Sequence, residues 1–179
     1  KLHDIGALSL IVSGSGGGGD IIAAAFRVAA AMKARRRPLP EDDAGNDNFR
    51  VRRYLAKVTI NPAIAHGLDE WVGSIEIGKL ADLVLWKPAT FGVRPDMVIR
   101  LGAVVTGATS APDAMRSAVT FVSQASLALG IADSLPGHTL LPVRNTRSIS
   151  KESMVHNSTL PAVEIDPAAG AVRIDGDLL

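Results

Sequence analysis

Residues 53–86 read RYLAKVTINPAIAHGLDEWVGSIEIGKLADLVLW, and this stretch decides the fold. Val51, Tyr54, Leu55 and Val58 recur at helical spacing, so an amphipathic helix leads into it. Asn61 followed by Pro62 reads as a cap and a first helical position. The Asn side chain accepts from an orphan N–H, and Pro has no N–H to lose there. Gly67 after His66 is a glycine stop, which makes 61–66 a short helix. Ile75 and Ile77 alternate with polar neighbours, as in a half-buried strand. Gly78-Lys79 signals a turn. Leu83, Val84, Leu85 and Trp86 form a continuous apolar run, as in a strand buried on both faces.

Working outward, Ala7–Val12 reads as a short buried strand, followed by the glycine run SGSGGGG at Ser13–Gly19. Asp20 can cap the next helix, where Ile22, Phe26, Ala29 and Met32 make one stripe. Its basic end, KARRR, suits the helix dipole, and Pro38 and Pro40 stop it. Asn46 or Asp47 caps the helix that reaches Tyr54. Downstream, 97–106 is apolar enough for a strand or hairpin. Met115, Val119, Val122, Ala125 and Leu129 share a helical face over 111–130. LLPVR, AVEID and AVRID then read as strands. Asp166-Pro167 and Asp175-Gly176 are turn signals, and PAAG joins the last two strands in a hairpin. The expectation is an α/β chain with helices near 20–36, 47–58, 61–66 and 111–130. Strands fall near 7–12, 75–77, 81–87 and 97–106. The C-terminal strands should join the 75–86 strands in one sandwich-like sheet.

The chain has 179 residues, 19 Lys and Arg against 18 Asp and Glu, and a formal net charge of +1. That balance asks for neither nucleic acid nor an anionic membrane. The Arg35–Arg37 run reads as a solvated helix end without an aromatic platform beside it. With no cysteine, disulfides and thiolate metal sites are excluded. The opening apolar run is too short to span a bilayer and lacks a signal-peptide cleavage pattern, so a soluble cytoplasmic protein is expected. A complete (β/α) barrel typically needs about 250 residues.

TINPAIAHG followed by GSIEIGKLADLVLW resembles the end of the catalytic domain in metal-dependent amidohydrolases. HDIGALS (3–9), NDNFRVRRYLAK (46–57) and MVHNS (154–158) narrow the resemblance to the catalytic (alpha) subunit of urease. The resemblance implies the C-terminal part of a barrel over 1–67, with strand, glycine-rich loop and helices. Over 68–179 it implies a portion of the accompanying β-sandwich, with an inserted helix near 111–130. It implies nickel-dependent hydrolysis of urea to ammonia and carbamate on two nickel ions, with the other urease subunits as partners. The chain then reads as a truncated C-terminal portion, not catalytic alone.

The family's nickel-binding aspartate and substrate-holding arginine fall, counting without gaps from His3, on Gly14 and Asp20. Neither functional side chain is present, so no catalytic, substrate-binding or metal-binding residue is assigned and no nickel is expected on this chain alone. His3, His66, His138 and His156 have none of the spacings that aim two imidazoles at one ion. Asp82 opens a strand or caps a turn. Two other readings stand beside the hydrolase: a non-catalytic module docking on urease subunits, and a phosphate or nucleotide binder through Ser13–Gly19. In the latter, Gly14, Gly16 and Gly19 satisfy G-x-G-x-x-G, and Glu41 and Asp42 follow about 20 residues on. Asp20 sets a negative charge against it, and no Lys-Ser/Thr completes a Walker A loop.

Overall fold

A computed structural model describes residues 1–12, 21–35, 39–42, 45–105 and 119–178. The glycine run, Asp20, Pro38 and residues 111–118 of the expected helix lie outside the described residues. The chain divides into two compact units, one of Lys1–Val58 with Ser150–Leu179, the other of Thr59–Ile149. No described helix is long and apolar enough to cross a membrane.

The first unit is built on α1 (Ile21–Arg35) and α2 (Asn48–Val58), which pack together. Ala25 and Ala29 are the buried centre of α1, where small side chains let α2 approach. The start of α2 is capped from a distance: Asp42 Oδ1 accepts from the N–H groups of Phe49 and Arg50 at 2.9 and 3.2 Å. Asn46 Oδ1 accepts from Asn48 N–H, so both satisfy donors that a helix start leaves orphaned. The buried face of α2 corrects the sequence reading. Val51, Leu55 and Val58 are only half-buried, while Arg50, Arg53, Tyr54 and Lys57 are buried. Polar heads with partners replace the apolar stripe, which hydropathy patterning could not anticipate.

Residues 7–12 form no strand. They run irregularly, and Ile11 N–H donates to the carbonyl of Lys57 at the end of α2. Their neighbouring carbonyls are taken by side chains, as described below, so no strand partner is needed. The unit also holds a three-stranded antiparallel sheet, β6 (Val163–Asp166), β7 (Ala171–Ile174) and β8 (Asp177–Leu178). The expected hairpin at PAAG is present: Asp166 Oδ1 accepts from Ala168 and Ala169 N–H and turns the chain.

In the second unit α3 (Ile60–His66) starts one residue before Asn61, with Thr59 at its cap position and Asn61 buried inside the first turn. Its end is as expected. Gly67 has φ 68°, and its N–H and that of Leu68 close onto the carbonyls of Ile64 and Ala63. A Cβ on Gly67 would lie 2.0 Å from the Arg144 carbonyl oxygen, so close backbone approach as well as dihedral angle demands glycine.

The apolar run at Leu83–Trp86 yields the short strand β1 (Leu83–Leu85), paired with β2 (Met97–Arg100), which pairs with β3 (Ala103–Val105). β1 is not buried on both faces: Val84 and Leu85 are 46% and 45% exposed. Ile75 and Ile77 form no strand and are 87% and 109% exposed. Leu101 and Gly102 both take positive φ in the two-residue turn between β2 and β3. Asp82 Oδ1 accepts from Leu101 N–H at 2.7 Å, the turn-capping role expected of it.

Residues 119–122 are a strand, not part of a helix over 111–130. β4 (Val119–Val122) pairs in parallel with β5 (Thr139–Pro142). Val119, Thr120, Phe121 and Val122 are β-branched or aromatic, and strand pairing outweighed their helical spacing. A short helix, Gln124–Ala128, begins only after Ser123, whose hydroxyl accepts from Ser126 N–H. The C-terminal strands do not join the sheet of β1. β2 is paired on both sides by β1 and β3, β7 on both sides by β6 and β8, and the sheets are separate.

Candidate functional site

The candidate site is a cluster of buried polar side chains in the first unit. Three stretches meet there: His3–Ser9, the face of α2 carrying Arg50, Arg53 and Lys57, and the turn around Lys151–Asn157. Helical spacing puts Arg50, Arg53, Tyr54 and Lys57 on one side of α2.

Arg50 grips Asp4 along its edge, Nε to Oδ1 at 2.8 Å and Nη2 to Oδ2 at 3.3 Å. Both side chains are buried, 2% and 0% exposed, so the two parallel bonds carry the main compensation, and Asp42 Oδ2 lies 3.9 Å from the same guanidinium. The bond to Asp4 raises the already high pKa of Arg50 further, against the opposing effect of burial.

Arg53 reaches three stretches at once. It donates to the backbone carbonyls of Asp4 and His156, the latter at 2.9 Å, and to Glu41 Oε1 at 3.2 Å. Its guanidinium lies 4.7 Å from the centroid of the Phe49 ring, which meets the His156 ring edge-on.

Lys57 is wholly buried and donates to the Leu8 carbonyl and to Asn157 Oδ1. Asn157 in turn donates to the carbonyls of Arg53 and Val155, at 3.0 and 2.9 Å. Burial, with Arg53 and Lys151 nearby, pulls the Lys57 ammonium down to about 7, only partly opposed by Asp4. Lys151 donates to the carbonyls of Gly6 and Ala7 and to Ser9 Oγ. Gly6 has φ 78°, and a Cβ there would lie 3.0 Å from the His156 carbonyl oxygen, so the fit of this turn against the 154–157 turn depends on glycine.

His3 stacks 6.4 Å from Tyr54, and its pKa is lowered by burial, by Lys57 and by the terminal ammonium. His156 is lowered by burial and then by Arg52 and Arg53. His66 ends α3, exposed, and His138 Nδ1 lies 3.1 Å from Thr120 Oγ1 at the surface. His3 and His156 belong to the first unit, His66 and His138 to the second. Among the described residues no group of three or more His, Asp or Glu is placed to hold a metal ion.

These residues do not fit a nickel pair. Asp4 spends both oxygens on Arg50, and His3 faces cations rather than carboxylates. Nor is Lys57 open to a substrate, because it is wholly buried and donates to two internal acceptors. What the cluster can do is fix the path of residues 3–9. Sequence reasoning missed Asp4, Arg50, Arg53, Lys57, Lys151 and Asn157. The signal was present in part: Arg50, Arg53 and Lys57 recur at helical spacing as a basic stripe.

A shallow concavity of about 510 Å³ lies in the second unit, with Ser123, Gln124, Arg144, Asn145 and Arg147 on its wall. Arg144 is committed to Glu70 at 2.8 Å.

Compared with known proteins, residues 1–119 match the profile of the Amidohydrolase family. The match takes in two of the three stretches of the cluster, His3–Ser9 and α2.

Proposed function

The chain belongs to the amidohydrolase family, and from that premise we propose that it is a homologue of the urease catalytic (alpha) subunit whose described residues frame the hydrolase rather than carry its chemistry. The whole subunit's reaction is then nickel-dependent hydrolysis of urea to ammonia and carbamate. This chain's own part is mechanical. α2 and the 151–157 turn hold the segment His3–Ser9 by its carbonyls and by the Asp4 carboxylate. On this reading residues 1–67 are barrel-derived, and the chain alone does not retain nickel.

One observation carries the proposal. HDIGALS, NDNFRVRRYLAK and MVHNS, far apart in sequence, supply the partners of a single buried cluster: Asp4 to Arg50, Arg53 to His156, Lys57 to Asn157. A resemblance confined to unrelated surface stretches would have no such internal logic.

The test is co-expression with urease beta and gamma subunits, together with nickel content after dialysis and ammonia release from urea. Co-purification with those subunits, without nickel retention or ammonia release by the chain alone, is the expected result. Hydrolysis of a cyclic amide in preference to urea, or failure to associate with either subunit, would overturn the urease assignment while leaving family membership intact.

A further inference from the structure

We propose that the cationic grip on residues 3–9 is a proton-operated catch, closed tightest when Lys57 is a neutral amine and weakened by each proton the cluster takes up. The geometry is that of a clasp. Four carbonyls of one irregular segment are held by side chains: that of Asp4 by Arg53, those of Gly6 and Ala7 by Lys151, and that of Leu8 by Lys57. The segment forms no strand that could hold it independently.

An amine and an ammonium both donate to Leu8 and Asn157, so the acceptors stay satisfied in either state. What differs is charge. The charged and titratable groups that face Lys57 are His3 and Asp4 from the N-terminal segment, Arg53 and Tyr54 from α2, and Lys151 from the 150–157 turn. Arg50 and Asp42 are already occupied with Asp4 and with the start of α2. A proton on Lys57 therefore adds positive charge beside Arg53 and Lys151, answered only in part by Asp4, whose carboxylate is bonded to Arg50. Once the segment lifts away, water solvates the ammonium and the lysine returns to its ordinary value of 10.5.

The sign follows from linkage. The open form holds the proton more tightly than the closed form between about pH 7 and about pH 10.5, so closing is favoured as pH rises through that window. Below it Lys57 is charged in both forms and its contribution is flat.

Hydrogen exchange on the full chain, with intrinsic rates divided out, reads the catch directly. Protection of residues 3–11, taken relative to Ile21–Arg35, should rise by up to about tenfold per pH unit from about pH 7 to about pH 10. Lys57→Arg keeps the charge throughout, and its ratio should be flat. A flat ratio in the parent, or an undiminished slope in Lys57→Arg, overturns the proposal. If that variant does not fold, titration of the Lys57 side chain by NMR in the parent decides. A midpoint near neutrality supports the catch, and an ordinary lysine midpoint overturns it.

Discussion

The ammonium of Lys57 and the side-chain oxygen of Asn157, separated by 100 residues of chain, are hydrogen-bonded in the interior of the first unit. Asn157 returns a bond to the carbonyl of Arg53, one turn before Lys57 on the same helix. The 154–157 turn is therefore tied to α2 by donor and acceptor alike, and each side chain fixes the orientation of the other. Four expectations follow from this kind of packing.

Asp4 and Arg50 should behave as a coupled pair. Asp4→Asn leaves a buried guanidinium with half its compensation, and a loss of about 3–5 kcal/mol is expected from breaking such a pair. Asp4→Leu with Arg50→Met removes both charges and should cost less than the sum of the single variants. Denaturant unfolding of all four proteins closes the cycle. Strict additivity would contradict the pairing.

Tyr54→Phe should be neutral or stabilising. The Tyr54 hydroxyl is buried and has no hydrogen-bond partner among the described residues. Deleting it removes an uncompensated polar group, which is worth about 1–3 kcal/mol at most. A large destabilisation in a thermal melt would show that the hydroxyl is bonded.

Gly67→Ala should be among the most damaging single changes in the second unit. Alanine would have to adopt φ 68° and also clear the Arg144 carbonyl and the Thr146 methyl. The strain of the dihedral alone is about 1–2 kcal/mol, and the clash adds to it. Gly170→Ala, also at positive φ but with open space around it, is the control and should show the dihedral cost only. Equal losses in the two variants would mean that the approach of Arg144 relaxes freely.

Stability of the chain should fall on both sides of an alkaline optimum. His3 and His156 have lowered pKa values, so the unfolded chain takes up protons first as pH drops below 6.5, and stability is lost there. Tyr54 is raised above its ordinary 10.0, chiefly by burial, so the unfolded chain ionises first above that value and stability is lost again. His3→Gln should flatten the acid limb and Tyr54→Phe the alkaline one. Denaturation midpoints measured across pH check both, and an acid limb unchanged in His3→Gln would remove that histidine from the account.

Residues whose conformation depends on neighbours a few positions away were legible in the sequence. Gly67 stops α3 because a left-handed residue ends a helix wherever it stands. Asp166 turns the β6–β7 hairpin by accepting from the N–H groups of Ala168 and Ala169. The alanine-rich α1 and the helix through Tyr54 also follow from local propensity and spacing, and the family from motifs carried intact in the chain.

Tertiary structure alone decided which face of α2 is inside and whether 7–12 and 119–122 would be strands. Burying Arg50, Arg53 and Lys57 is unfavourable unless carboxylate and carbonyl partners meet them, and those partners come from Asp4, Leu8, Glu41, His156 and Asn157. Hydropathy assigns each residue a preference for water but not a distant partner, so it pointed to Val51, Leu55 and Val58 instead. Residues 7–12 are irregular, with side chains answering the carbonyls of Ala7 and Leu8. Val119–Val122 is a strand because β5 supplies a hydrogen-bonding edge. In each case the deciding free energy lies in a contact between stretches far apart in the chain, and it exists only once they are brought together.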